Sequence, residues 1–188
     1  MATTEIRITG LGGQGVILSG YIIGKAASIF NNQHATLTQS FGPEARGSAC
    51  SAQVIVSDDR VLYPYITAPQ IMVAMSNDGY LKYKDTVAKD AIILYDSDLV
   101  KVEEQGSKVR NYGIPATRFA EELGRRIVLN IIMLGFFGAV TQLMPREAFH
   151  KAVKNSVPPG TEELNLKAFD KGYDYGLQLI KESKTVKA

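Results

Sequence analysis

One cysteine and two histidines are all the thiol and imidazole metal ligands in this 188-residue chain. A lone Cys50 cannot build a disulfide framework or a cysteine-ligated iron–sulfur cluster by itself. Flanked by Ala49 and Ser51 in a strand-like run, it reads as a small buried residue rather than a nucleophile. His34 and His150 stand far apart, and neither has a carboxylate at ligand spacing, so neither a zinc site nor a histidine general base is expected. Excess charge is scarce too. Lys and Arg number 21 against 19 Asp and Glu, and the net +2 gives no reason to expect nucleic acid or an anionic membrane as partner. The longest apolar run, IVLNIIMLGFFGAV, has 14 residues and encloses Asn130. A bilayer needs about 20, so this run reads as a buried helix. The N-terminus MATTEIRI lacks a basic stretch followed by an apolar one, so no secretory signal is read and the cytoplasm is the expected location. Neither Gly-Lys-Ser/Thr after the glycines nor a G-x-S-x-G elbow occurs, which removes a Walker loop and a hydrolase nucleophile.

What is present suits one soluble domain, taken as residues 1–182 with a frayed tail over 183–188. EIRIT reads as a strand, Gly15 to about Phe30 as a helix and HATLTQS as a second strand. CSAQVIVSD and RVLYP read as two strands around an Asp58-Asp59 turn. QIMVAMS and AIILYDS are continuous apolar runs of the kind buried on both faces of a parallel sheet, and NDGYLKYKDTVAKD between them fits a crossover helix. Four helical segments follow: ATRFAEELG, RRIVLNIIMLGFFGAV, PREAFHKAVKNSV and TEELNLKAFDKGYDYGLQLIKES. Pro145 suits a helix start, and Pro158-Pro159-Gly160 breaks the chain before the last helix. The expectation is an α/β fold: a Rossmann-like mixed, mostly parallel sheet with helices on both faces and a helical C-terminal layer.

Between the first strand and the first helix lies Gly10-Leu11-Gly12-Gly13-Gln14-Gly15, a G-x-G-x-x-G match. Gly10 would permit a tight turn out of the strand, Gly12 a close approach of backbone to phosphate, and Gly15 close packing of helix on strand. The exposed N–H groups and the positive helix end favour an anion. NAD demands more, an Asp or Glu ending the second strand to hold the ribose. Between Glu5 and Glu44 there is no acidic residue, and that strand ends Thr38-Gln39-Ser40. An independent nucleotide-dependent enzyme is thereby weakened, while a phosphate-bearing ligand of another kind, or an empty structural turn, stays open.

QSFGPEARGSACSAQVIVSD is more specific. Pro43 sets a rigid turn, and Glu44 and Arg46 put opposite charges among small residues; an exposed pair of this kind stabilises by only about 0–1 kcal/mol. With GLGGQGVILSGYIIGKAA before it, and QIMVAMS and RRIVLNIIMLGFFGAV after it, the chain resembles the gamma subunit of 2-oxoacid:ferredoxin oxidoreductases, the pyruvate/ketoisovalerate oxidoreductase gamma family. It is more similar to the 2-oxoglutarate type than to the pyruvate or indolepyruvate types. Ser48 departs from the second glycine that many relatives carry there.

The resemblance implies a subunit, inactive alone, of an enzyme that oxidatively decarboxylates a 2-oxoacid. That enzyme transfers the acyl group to coenzyme A and reduces ferredoxin, or NAD through a further subunit. It implies alpha, beta and ferredoxin-like partners that hold thiamine diphosphate, Mg²⁺ and [4Fe-4S] clusters. By the matching motifs, Gly10, Gly12, Gly13, Gln14 and Gly15 would face the coenzyme A phosphates, and Asn130 its adenosine side. Ser40, Glu44 and Arg46 would stand at the active-site entrance or a subunit contact. No catalytic residue and no metal ligand is assigned to this chain. A lone Asn130 in an apolar helix must have some partner, ligand or neighbouring helix. Met133, Phe136 and Phe137 read as core or interface, and Tyr63, Tyr65, Tyr80 and Tyr83 suit an interface.

Overall fold

The computed structural model describes residues 3–40, 49–103 and 108–185. Six strands form one sheet: β1 (Thr3–Leu11), β2 (His34–Ser40), β3 (Ala49–Ser57), β4 (Ile71–Ala74), β5 (Ile92–Asp96) and β6 (Arg110–Ile114). Their spatial order is β2-β3-β1-β4-β5-β6. β1, β4, β5 and β6 run parallel, whereas β3 lies antiparallel between β1 and β2. The expected mixed sheet with a helical C-terminal layer is what forms.

Side-chain alternation assigns the two faces. Ile6 and Ile8 of β1, with Ala52, Val54 and Val56 of β3, join the large core cluster. Covering that face are α1 (Val16–Phe30), α3 (Ala116–Glu122), α4 (Leu129–Thr141), α5 (Arg146–Lys154) and α6 (Glu162–Thr185). α6 thus runs on into the stretch set apart above as a tail. Arg7 and Thr9 take the opposite face, where α2 (Asn77–Tyr83) packs and Tyr80 joins Met72, Ala74, Ile93 and Val100 in a second, smaller cluster. α1 and α2 follow adjacent parallel strands yet lie on opposite faces, so the order of strands reverses between β1 and β4.

The apolar run becomes α4, almost wholly buried, with Met133, Phe136 and Phe137 all in the core. Its packing on α6 is unusually close. A Cβ on Gly135 would overlap the carbonyl oxygen of Phe169, and one on Gly172 would overlap that of Ile132. Glycine at these points lets two helix backbones touch.

One expectation needs correction, and one strand carries no signal in the sequence. RVLYP is not a strand, because β3 is already paired on both edges and has no ladder left to offer. The segment instead runs over the surface, with Leu62 86% exposed. It is tied down downstream by Glu5, whose carboxylate accepts from the backbone N–H of Thr67 at 2.8 Å and Ala68 at 2.9 Å. β6 carries no strand signal in its sequence: RNYGI is polar at its start because it is an edge strand.

Candidate functional site

The link from β1 to α1 is built differently from its sequence pattern. Gly10 makes no turn. It is a paired strand residue opposite Cys50, and a Cβ there would stand 2.7 Å from Gln14 Oε1 and 2.9 Å from Val16 Cγ2. The turn is made by Gly13 and Gly15, with φ of 97° and 74°; Gly12 has no positive φ. These are the two positions where an L side chain would be strained. Gln14 closes the turn from inside. Its N–H donates to Leu11 O at 3.1 Å, its Oε1 accepts from Leu11 N–H at 2.6 Å, and its Nε2 donates to Met75 O at 2.9 Å. One side chain therefore ties the ends of β1 and β4 together.

Gly15 packs not on the strand but on Asn130, whose Cγ would lie 2.7 Å from an added Cβ. Asn130 is buried at the start of α4, and its Nδ2 reaches Gly15 O at 3.4 Å. The partner left open by the sequence is thus the glycine loop itself.

α1 starts without a side-chain cap and with no acidic residue in its first turn. Its first N–H groups and the positive end of its dipole are left for an external acceptor. The loop that leads into this helix, at Gly13 and Gln14, borders a cleft of about 350 Å³ lined also by Leu99, Thr117, Arg126, Ile127 and Leu129. The cleft sits past the carboxyl ends of the parallel strands, where the strand order reverses; open α/β sheets bind ligands there.

A ring of charge supports one wall. Asp96 ends β5 fully buried, with Oδ2 accepting from Thr117 Oγ1 at 2.6 Å and Oδ1 from Asp98 N–H at 3.0 Å. Burial pushes its carboxyl above the usual range, partly offset by those hydrogen bonds. Asp98 holds Arg118 through both backbone and side chain, each at 3.0 Å. Arg126 pairs with Glu121, its Nε donating at 2.7 Å. Sequence reading missed Asp96, Thr117 and Arg126. The available signal was an aspartate closing a buried parallel strand in AIILYDS.

Of the other candidates, Ser40 is exposed at the end of β2, opposite Ser51 of β3. Glu44 and Arg46 lie outside the described residues. Ser40 and Ala49, which bracket them, stand at the same sheet end as Leu11. The strand order also bears on NAD. In a dinucleotide fold the ribose acid ends a strand next to β1, but here β3 fills that place and β2 lies two strand spacings away, about 9–10 Å.

Cys50 is buried in β3, and burial raises its thiol pKa, which suits an inert thiol. His150 does have a carboxylate partner, contrary to its sequence neighbourhood: Asp170 of α6 lies 2.6 Å from its Nε2 and also accepts from Arg146 Nε at 3.1 Å. Helix packing brings together residues 20 positions apart. Among the described residues no group of three or more His, Cys, Asp or Glu could hold a metal. Tyr63 and Tyr65 are exposed and meet edge to face at 5.6 Å, whereas Tyr80 belongs to the core rather than to a surface. Tyr83 half-covers the buried Arg7 guanidinium, which lies 4.1 Å from its ring centre.

Residues 5–175 match the family described as pyruvate ferredoxin/flavodoxin oxidoreductase. The chain belongs to that family. Among its relatives, 2-oxoglutarate synthase subunit KorC of Methanocaldococcus jannaschii is 45% identical over 177 residues, covering 93% of this chain and 95% of KorC. The keto/oxoacid ferredoxin oxidoreductase gamma subunit of Geobacter sulfurreducens has a crystal structure that superposes with TM-score 0.83 at 38% identity, over 93% of this chain and 99% of that one. The gamma-type resemblance carried by SFGPEARGS therefore holds for this member of the family. The fold alone is shared with the 2-oxoglutarate:ferredoxin oxidoreductase of Magnetococcus marinus, at TM-score 0.82 and 22% identity. There the match covers 94% of this chain but 31% of the other, and that protein was solved with 2-oxoglutarate, coenzyme A and succinyl-CoA bound. No helix among the described residues is long and apolar enough to cross a membrane.

Proposed function

We propose that this chain is the gamma subunit of a multi-subunit 2-oxoacid:ferredoxin oxidoreductase, and that its cleft holds coenzyme A and covers the active site. The assembled enzyme converts a 2-oxoacid and coenzyme A to acyl-CoA and carbon dioxide. Two electrons leave singly to ferredoxin, or reach NAD through a further subunit. Kinship with KorC favours 2-oxoglutarate as the acid. The cytoplasm is the location that fits such an enzyme.

The observation that carries the coenzyme A reading is the uncapped α1 N-terminus opening, through Gly13, onto the cleft at the strand-order reversal. Pyrophosphate and phosphate groups are the natural guests of such a helix end. Gly10, Gln14 and Asn130 serve this site indirectly, by shaping the turn, rather than by offering groups to the ligand. Among the described residues no group of three or more His, Cys, Asp or Glu could hold a metal. One thiol cannot ligate a [4Fe-4S] cluster by itself, which agrees with our assigning the clusters, with thiamine diphosphate and Mg²⁺, to alpha, beta and ferredoxin-like partners. Those groups, when bound there, supply the decarboxylation and electron transfer, while this chain binds and orients the acyl acceptor.

A second reading, a purely architectural subunit, draws on one fact: the side chains of Gln14 and Asn130 are already engaged within the chain. Steady-state kinetics of the assembled complex separate the two. Gly13 has open space where a side chain would project, and Asp is among the residues that best tolerate a positive φ. Gly13→Asp should raise the KM for coenzyme A tenfold or more, through repulsion of the phosphates, with the KM of the 2-oxoacid unchanged. Gly13→Asn isolates charge from shape and should act much more weakly. Equal changes in both KM values would favour the architectural reading.

A further inference from the structure

Three buried side-chain atoms among the described residues lack a hydrogen-bond partner: Arg7 Nε, Thr36 Oγ1 and Thr38 Oγ1. The strand register gathers them on one surface. Gln53 of β3 lies between Arg7 and Thr38, and Ile55 lies opposite Thr36, all on the face of the sheet away from the large core. Buried polar groups without partners are rare and destabilising, and all three atoms can donate, so what this face lacks is an acceptor.

Arg7 makes the strongest demand. It is 9% exposed, and no salt bridge among the described residues includes it. NH1 donates to Ser51 Oγ at 3.5 Å, the long limit for such a bond. Glu5, two positions back on the same face, has its carboxylate engaged by the N–H groups of Thr67 and Ala68. The Tyr83 ring offers a cation–π contact, yet Lys82 Nζ stands 5.2 Å from the centre of the same ring and adds positive charge to the patch. Burial pushes the guanidinium's pKa below the ordinary arginine value, with Tyr83 working against that shift. Arginine stays charged all the same. Around it the surface is apolar: Leu81 of α2 is exposed, as are Leu62, Tyr63 and Tyr65, which border a pocket with Glu5 and Ile55. Tyr and Arg are the residues that protein interfaces favour, with buried anchors inside a rim that excludes water.

We infer that the α2 face of the sheet docks a partner subunit of the assembled enzyme, which sets an Asp or Glu side chain on Arg7 and apolar side chains on Leu62, Tyr63 and Leu81. Charge complementarity chooses the occupant. A carboxylate supplies the acceptor oxygens that this face lacks and neutralises a cation that the described residues leave unpaired. The inference rests on the subunit reading and is independent of where coenzyme A binds.

The test takes two readings of each variant: dilution of the assembled complex followed by mass photometry, and thermal unfolding of the free chain. Arg7→Met should raise the dissociation constant of this chain about thirtyfold or more, the loss expected when one side of a desolvated charge pair is removed. The free chain should melt no lower than wild type, because an unpaired buried charge gives way to an apolar side chain. A purely structural role would move the two readings the other way. Arg7→Lys keeps the charge without the two-pronged geometry and should recover part of the affinity. Leu62→Ser, at an exposed position, should weaken assembly about threefold to tenfold with the free chain unchanged. Assembly unaffected by Arg7→Met, or by Leu62→Ser where that variant does not fold, overturns the inference. So does a free chain destabilised as much as the complex, which would put the carboxylate within this chain. A wild-type free chain that dimerises through Arg7 would make the occupant a second copy and overturn it too. A wild-type chain that joins no partner removes the subunit reading itself.

Discussion

Replacing Gly135 by alanine puts a methyl group where α4 and α6 meet backbone to backbone. Besides overlapping the Phe169 carbonyl oxygen, the new Cβ would lie 2.9 Å from both Phe169 C and Tyr173 N. Favourable contacts between such atoms begin near 3.5 Å, so the two helices must part by at least about 0.6 Å, and by more to clear the oxygen. A gap of 0.5–1 Å forfeits roughly a quarter to a half of the dispersion across it. The affected surface is large, since Ile132, Phe136 and Phe169 are among the fully buried side chains there. Alanine gains about 1 kcal/mol over glycine in intrinsic helix propensity. Overpacking ordinarily costs about 1–3 kcal/mol, and here the obstacle is a backbone that cannot rotate away, so the upper end applies or is exceeded. The net expectation is a loss of about 2–3 kcal/mol, a fall in Tm of roughly 5–10 °C for a chain of this size. Gly172→Ala, which meets Ile132 in the same way, should behave alike. Thermal and urea unfolding of the full chain measure the effect. A Tm within a degree of wild type, or above it, would refute the claim that these glycines exist to let the helices touch.

Two further outcomes follow from the same geometry. Gln14→Ala leaves the Leu11 N–H and the Met75 carbonyl without their side-chain partner, and should cost about 1–3 kcal/mol in urea unfolding; a change below about 0.5 kcal/mol would mean the turn closes without it. Asp96 is held above its ordinary value of 3.8 by burial, so folding favours its protonated form. Its contribution is fully present below the unfolded value and is lost as pH rises through the folded one. Wild type should therefore gain stability relative to Asp96→Asn as pH falls from neutral towards 3.8. A Tm difference independent of pH, or one that moves the other way, would contradict the buried charge.

The parts of the fold written as periodicity were legible and those written as contact were not. β4 and β5 announce themselves because a strand buried on both faces must be apolar throughout, and α4 because a helix packed on all sides must be. β6 is an edge strand with Arg110 and Asn111 exposed, so its sequence carries no such mark. RVLYP carries the mark of a strand without being one, since strand propensity says nothing about whether a neighbouring edge is free. The partners of Asn130 and His150 lie 115 and 20 residues away, distances at which spacing rules have no hold.

The glycine loop shows why a correct motif can be read for the wrong reasons. G-x-G-x-x-G assigns its three glycines to turn, ligand approach and helix packing, in that order, when a second parallel strand lies beside the first. Here an antiparallel β3 takes that place, Gly10 becomes a ladder residue, and the turn moves to Gly13 and Gly15. What survives the change of neighbours is the feature that depends on none of them: a helix that begins without a cap, at the point where consecutive crossovers leave the sheet on opposite faces. That point opens a crevice in any such sheet. The chemistry of the guest is then decided by the walls, which here come from the segment after β5, the start of α3 and the turn into α4, and among the described residues these lining positions include no acid to hold a ribose. Asp96, which ends β5, is fully buried behind Thr117 and can reach a ligand only through that hydroxyl.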